Sequence, residues 1–248
     1  MSEGPSHLMI VTAHRGASQA APENTIAAFN RALDAGVNAI ETDIRLSRDG
    51  VPVLVHDENL LRVANSASRI EELTAAELAE VDVGTWMAPE FAGQGIPTLA
   101  WLAERCRHHT RLVLDLKVDG AAAAIAEVLD SSGFPVNQAW LCAWSEDQAA
   151  DIRKNLPGAR LIFIEDPLEH SDTEWMRVLA LRGYYGLSLH HKSIDATTMA
   201  DAHTNGLAVF AWTVNDPADM QRLRGIGVDG IISDGTAAGD FAPLFDGR

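Results

Sequence analysis

A (β/α)₈ TIM barrel of the α/β class is the fold that this chain of 248 residues predicts, and three observations predict it. Short runs rich in Val, Ile, Leu and Trp recur along the sequence, as strands buried on both faces do. Amphipathic stretches of helical period lie between them, so strand and helix alternate throughout. About eight such units in about 250 residues is the number and size of this barrel, and the right-handed crossover rule leaves few other arrangements. An open doubly wound sheet is the alternative, disfavoured because no G-x-G-x-x-G follows any strand.

In chain order, strands are expected at residues 9–13, 39–44, 112–116, 139–143, 160–164, 186–189, 208–213 and 230–233. Helices are expected at 25–35, 98–107, 121–130, 146–155, 173–181, 193–205 and 217–224. One segment breaks the alternation. "IETDIRLSRDGVPVLVHDENL" holds two strand-like runs joined by Asp49-Gly50, a strong hairpin signal. With Asp49 and Gly50 as the two loop residues, Arg48 faces Val51, Ser47 faces Pro52 and Asp43 faces His56. Pro52 then sits at a non-hydrogen-bonded position, where its missing N–H costs nothing. Residues 58–97 follow as an insertion on the C-terminal face of one domain spanning 1–248, with a helix at 74–81 and a Gly-rich tail "EFAGQGIP".

Composition bounds the function. Nineteen Lys and Arg against thirty-five Asp and Glu leave a formal charge of −16, a field that repels nucleic acid and anionic membranes and speaks against stable membrane association. An anionic small-molecule substrate must therefore be met by local cations or a metal. Cys106 and Cys142 are too few for a disulfide framework and match no zinc spacing. No run approaches the length of a membrane span and no signal segment opens the chain, so the expectation is a cytoplasmic protein.

In the barrel reading, His14 and Arg15 end the first strand, Glu41 and Asp43 lie on the second, His56 follows the hairpin, and Asp115 and Lys117 end the third. All gather at the C-terminal rim, where barrel enzymes carry their chemistry. Glu41 and Asp43, two residues apart, point to one side of their strand and repel each other. Either one takes up a proton or a cation bridges them; a hard divalent ion with oxygen ligands fits best, with Asp115 as third ligand. His14 and His56 flanking a cation suit proton transfer on both sides of a phosphorus centre. Arg15 and Lys117 suit the charge on phosphate oxygens, although Arg15 has a structural partner available in Glu23. Asn24 or Thr25 reads as a helix cap. Trp212 either packs on the carbon skeleton of a substrate or is a core aromatic. His7, His108, His109, His170 and His203 read as surface or packing residues, and His190 and His191 stay undecided.

"HRGASQAAPENT", "AIETDIRLSRDGVPVLVHD", "GIPTL", "AWTVN" and "GVDGIISD", in this order along nearly the whole chain, resemble the glycerophosphodiester phosphodiesterase family. The resemblance implies a phosphodiesterase-type barrel with a small insertion after the second strand. It implies one divalent metal, Mg²⁺ or Ca²⁺, and hydrolysis of a glycerophosphodiester to sn-glycerol 3-phosphate and an alcohol. It further implies His14 and His56 as the general acid/base pair, Glu41 and Asp43 as metal ligands, and Arg15 and Lys117 as phosphate contacts. Three stretches depart from the family pattern: "DLK" at 115–117 where Glu-x-Lys is usual, "SDGT" at 233–236, and "LLRVANSAS" in the insertion. Two other readings are a lysophospholipase D-type activity, with Trp86, Met87 and Phe91 as candidate acyl-chain contacts, and a barrel that binds without catalysing.

Overall fold

A computed structural model describes residues 9–106, 110–166 and 172–235. Its strands are β1 (Ile10–Ala13), β2 (Ala39–Leu46), β3 (Pro52–Leu54), β4 (Arg111–Leu116), β5 (Ala139–Ala143), β6 (Arg160–Glu165), β7 (Gly186–His190), β8 (Ala208–Trp212) and β9 (Gly230–Ser233). Eight of them, all but β3, run parallel in one sheet that closes because β1 pairs with both β2 and β9. The helices are α1 (Ile26–Asp34), α2 (Leu61–Ala64), α3 (Ala75–Ala79), α4 (Leu99–Cys106), α5 (Ala122–Ser132), α6 (Glu146–Asn155), α7 (Thr173–Leu181), α8 (Ala196–Thr204) and α9 (Pro217–Gly225). This is the expected (β/α)₈ barrel. The terminal Arg107 of the expected 98–107 helix, together with His7, His108, His109, His170 and Thr236, lies outside the described residues.

The period of two along each strand divides the core into two. Ile40, Ile44, Leu112, Leu114 and Leu141 face outward and join Phe29, Leu102, Ile125 and Leu223 of the surrounding helices. Ala39, Val113, Trp140, Cys142, Ile162, Ile164, Phe210 and Ile232 face inward and fill the barrel. At one end Trp140 packs on Phe210 with ring centroids 5.0 Å apart, and the guanidinium groups of Arg111 and Arg160, from the starts of β4 and β6, lie over the Trp140 ring. Aromatic and cationic side chains thus pack at the N-terminal end, and the cavity that His14 and His56 line lies toward the C-terminal rim.

Helix starts follow capping chemistry. Thr25, Ser145, Asp172, Asp195 and Asp216 each accept a hydrogen bond from a backbone N–H in the first turn of the helix that follows. The expected 193–205 helix starts instead at Ala196, because residues 191–193 form a 3₁₀ turn and Asp195 supplies the cap. Among the described residues no helix is long and apolar enough to cross a membrane.

The hairpin differs from expectation by one residue. β2 and β3 are antiparallel, but Leu46 faces Pro52, Arg45 faces Val53 and Ile44 faces Leu54, while the Ser47 N–H donates to the Val51 carbonyl. The loop therefore holds Arg48, Asp49 and Gly50, with Gly50 at φ +77°, the three-residue form that places Gly in the left-handed region. The Ser47 hydroxyl donates to Asp49 and accepts from the Val51 N–H, which ties the longer loop. Pro52 still falls at a non-hydrogen-bonded pair, as expected. Asp43 faces Val55 rather than His56, since the Val55 N–H donates to the Asp43 carbonyl.

Between β3 and α4, Leu60, Val63, Ile70, Leu78, Val83 and Ile96 pack with Val53 and Val55 of the hairpin into a separate small core. Thr74 and Glu77 form a capping box that starts α3, where the sequence predicts a helix over 74–81. Arg62 on α2 ties this segment to the barrel through Glu23 at 2.7 Å and Asp57 at 2.7 Å.

The turn after β1 is tightly packed. Arg15 and Gly16 both take positive φ, +56° and +78°, and a Cβ on Gly16 would stand 2.7 Å from the Ala28 backbone carbon. Gly36 also has positive φ, +70°, but has open space around it. Gly16→Ala is therefore expected to lower stability by about 2–3 kcal/mol, from strain plus overpacking, and Gly36→Ala by only about 1 kcal/mol. Urea denaturation midpoints of the two variants check this difference.

Candidate active site

Parallel register brings the acidic residues together. Asp43 on β2 is paired with Asp115 on β4, and Glu41, two residues back, points the same way into the barrel. One carboxylate oxygen from each of Glu41, Asp43 and Asp115 lies within 4.8 Å of the others, and all three residues are buried. At an effective dielectric constant of about 20, each pair of charges at that separation repels by about 3–4 kcal/mol. Burial, then the neighbouring Asp43, push the Glu41 carboxyl up to about 7. Burial likewise raises Asp115. Burial opposes ionisation of Asp43 too, but Arg15 and then Lys117 hold it below the usual carboxylate range.

The cations are placed by these carboxylates. Arg15 Nε stands 3.1 Å from Asp43 and its Nη1 donates to Glu23 at 2.9 Å. The expected structural pairing with Glu23 is thus present, and the same side chain stands against Asp43. The Arg15 backbone N–H, turned inward by the positive φ, donates to Glu41 at 2.9 Å. Lys117 Nζ lies 2.7 Å from Asp115 and 3.4 Å from Asp43. It also sits 5.0 Å from the Trp144 ring centroid, while the Trp144 indole N–H donates to the other Asp115 oxygen at 2.7 Å.

The three carboxylates fit a hard dication. Oxygen ligands on one Mg²⁺ or Ca²⁺ stand at most about 4–5 Å apart, and the three carboxylate oxygens lie within 4.8 Å of one another. The only thiol lining the cavity, Cys142, is pushed far up by burial and the nearby Asp115, so it stays protonated and offers no thiolate to a soft metal. Asp115, one methylene shorter than the family's Glu, still reaches the cluster.

His14 and His56 face the same cavity of about 210 Å³, which Arg15, Glu41, Asp115, Lys117, Trp144 and Trp212 also line. Each imidazole is held from behind: His14 Nδ1 donates to Asp234 at 2.6 Å, and His56 Nδ1 to Asp57 at 2.6 Å. That hydrogen bond leaves Nε2 of each ring free of Nδ1's partner, and in His14 it stands 3.9 Å from Glu41. Burial pulls the His14 proton off, but the Asp234 hydrogen bond and the Glu41 charge outweigh it and His14 titrates above its ordinary value. Asp234 is held down to about 2, by His14 and then by Asn215 and Ser18 against the pull of burial. Trp212 packs on the inner core and also lines the cavity. Its ring receives the edge of His190 at 5.5 Å, while His191 faces Asp219 at 3.5 Å and His203 pairs with Asp229.

Asp57, Asp234, Trp144 and Asn24 are absent from the sequence-based site. Asp234 directly follows β9 and Asp57 directly follows His56, so the rule that strand ends gather at one rim was a signal for both. Asn24 takes positive φ, +55°, and bridges Asp43 at 2.8 Å and the Thr42 hydroxyl at 2.7 Å; the cap of α1 is Thr25 alone. Phe91 is buried against Ala21 and Ala28, with Met87 packed beside it; neither these two nor Trp86 lines the cavity.

Because Glu41 holds a proton up to about 7, a dication entering the cluster displaces it. Titration calorimetry of Mg²⁺ or Ca²⁺ into metal-free protein, in buffers of different ionisation enthalpy, is expected to show proton release near pH 6 that fades by about pH 8. Release that does not change with pH contradicts this electrostatic picture.

The sequence model of the glycerophosphoryl diester phosphodiesterase family matches residues 14–238. A glycerophosphodiester phosphodiesterase of Caldanaerobacter subterraneus is 31% identical over 234 residues, covering 91% of this chain and 93% of that protein. The structure of an Oleispira antarctica phosphodiesterase in complex with the product sn-glycerol 3-phosphate is similar with a TM-score of 0.87 at 29% identity, covering 97% of this chain and 98% of that one. A glycerophosphodiester phosphodiesterase from Thermotoga maritima gives 0.79 at 26% identity, covering 96% and 99%. With the barrel and the acidic rim already in place, this match along the whole described fold means that the chain belongs to the glycerophosphoryl diester phosphodiesterase family and is an enzyme of that class.

Proposed function

We propose that the protein hydrolyses small glycerophosphodiesters to sn-glycerol 3-phosphate and an alcohol, using one divalent metal, Mg²⁺ or Ca²⁺, and general acid/base catalysis by His14 and His56. The observation that carries this reading is the pair of imidazoles, each anchored at Nδ1 by an aspartate and each lining one cavity over a buried cluster of three carboxylates. The product complex of the Oleispira relative supports the substrate class.

Glu41, Asp43 and Asp115 would hold the metal, which supplies Lewis-acid polarisation of the phosphoryl group when bound. Arg15 and Lys117, the cations of the cavity wall, meet the charge that builds on the non-bridging oxygens. One imidazole takes the proton of the attacking oxygen and the other gives a proton to the departing alcohol, with Asp234 and Asp57 fixing which nitrogen does so. Trp212, with the apolar Val113, Ile164 and Ile232, offers a wall for the glycerol carbons.

Metal-stripped protein is expected to be inactive on glycerophosphocholine and to recover with Mg²⁺ or Ca²⁺. His14→Ala and His56→Ala are each expected to lose about 10²–10⁴-fold in kcat while still binding metal. Asp234→Asn, which loosens the His14 ring without removing it, is expected to lose about 10–100-fold. Release of glycerol 3-phosphate, followed by coupled assay, checks all four. Full turnover by His14→Ala, or by the metal-free enzyme, would falsify the mechanism.

A further inference from the structure

Beyond His56 the cavity opens into a second, wider trough of about 640 Å³, lined by Arg45, Asp57, Glu58, Asn59, Leu61 and Arg62. His56 and Lys117 line both spaces. A phosphodiester with its glycerol arm in the inner cavity and its phosphate by Lys117 therefore passes its other arm across His56 into this trough.

The charges of the trough are already matched, with one exception. Asp57 is engaged by His56 and Arg62, Glu58 by Arg69 at 3.2 Å, and Lys117 by Asp115 and Asp43. Arg45 is half-buried, and its Nε donates to the His56 carbonyl at 2.8 Å. That is the only hydrogen bond of its side chain, so both terminal nitrogens lack a protein partner among the described residues. A planar guanidinium with its outer edge open, on a wall already fixed by Nε, is shaped for bidentate contact with a carboxylate or a phosphate. Among the described residues, the space on the opposite flank, by His14, has no such free charged group: Glu23 is taken by Arg15 and Arg62, and Asp234 by His14, Ser18 and Asn215.

We infer that Arg45 is a specificity-determining residue that receives an anionic group, carboxylate or phosphate, on the leaving alcohol of the diester. The inference rests on the glycerophosphodiester reading and narrows its substrate class to diesters whose head group bears a negative charge of its own.

Two substrate pairs isolate that charge. Glycerophosphoserine differs from glycerophosphoethanolamine by one carboxylate, and glycerophosphoglycerol bearing a terminal phosphate differs from glycerophosphoglycerol by one phosphate. With metal in excess, wild-type enzyme is expected to favour the anionic member of at least one pair about tenfold in kcat/KM, and the responsive pair names the anion. Arg45→Gln is expected to bring that ratio close to one, and Arg45→Glu to reverse it. A wild-type ratio near one in both pairs overturns the inference without needing any variant. So does an Arg45→Gln enzyme that slows both members equally, because that is the signature of a role through the His56 backbone alone. An enzyme inert on all four diesters overturns the functional reading itself.

Discussion

Mutual repulsion of three buried carboxylates is the constraint around which the rim of this barrel is organised. Strand register places Glu41, Asp43 and Asp115 on one inward face, with one oxygen of each within 4.8 Å of the others. Every nearby donor answers that charge: the Arg15 backbone and side chain, Lys117, Asn24 and the Trp144 indole. Glu41 is the least compensated, receiving one backbone N–H, and it is the carboxyl that burial and Asp43 drive to about 7. A dication resolves the same conflict more completely than a shared proton does.

From that cluster outward the fold converts position into chemistry. The inner barrel is filled by Trp140, Phe210 and Ile162 at its depth, and the cavity over the acidic cluster lies at the C-terminal rim. The strained turn at Arg15 and Gly16 bends the chain after β1 so that a backbone N–H, a guanidinium and an imidazole all meet the cluster within two consecutive residues. Asp234 after β9 and Asp57 after the hairpin restrain the two imidazoles from behind. Rings held at Nδ1 expose Nε2 in a fixed direction, which is what proton transfer to and from a docked phosphodiester requires.

The repeating strands and the i, i+2 carboxylates were legible in the sequence because burial on both faces writes long apolar runs, and any charge inside such a run stands out. The hairpin was legible in kind but not in register. Asp49-Gly50 reads as a two-residue loop, and only the Ser47 hydroxyl, bonded to both Asp49 and Val51, makes the three-residue form preferable. Two local bonds thus shifted the partner of Asp43 from His56 to Val55. Asn24 was hidden for a related reason: beside a genuine cap, Thr25, it reads as another capping residue, and its contact with Asp43 depends on a positive φ that no periodicity encodes. Trp144 and Asp115 meet across the ends of neighbouring strands, a contact that depends on barrel tilt. The short turns between β3 and α4 carry too few residues to show any period.

The central claim, that Glu41, Asp43 and Asp115 jointly hold one dication beneath His14 and His56, is tested most directly by anomalous diffraction from crystals soaked in Mn²⁺. The account predicts one strong anomalous peak per chain, bonded to an oxygen of each of the three carboxylates and facing both imidazoles. A peak bonded elsewhere, or an empty cluster with Lys117 still bridging Asp115 and Asp43 at saturating Mn²⁺, would contradict it.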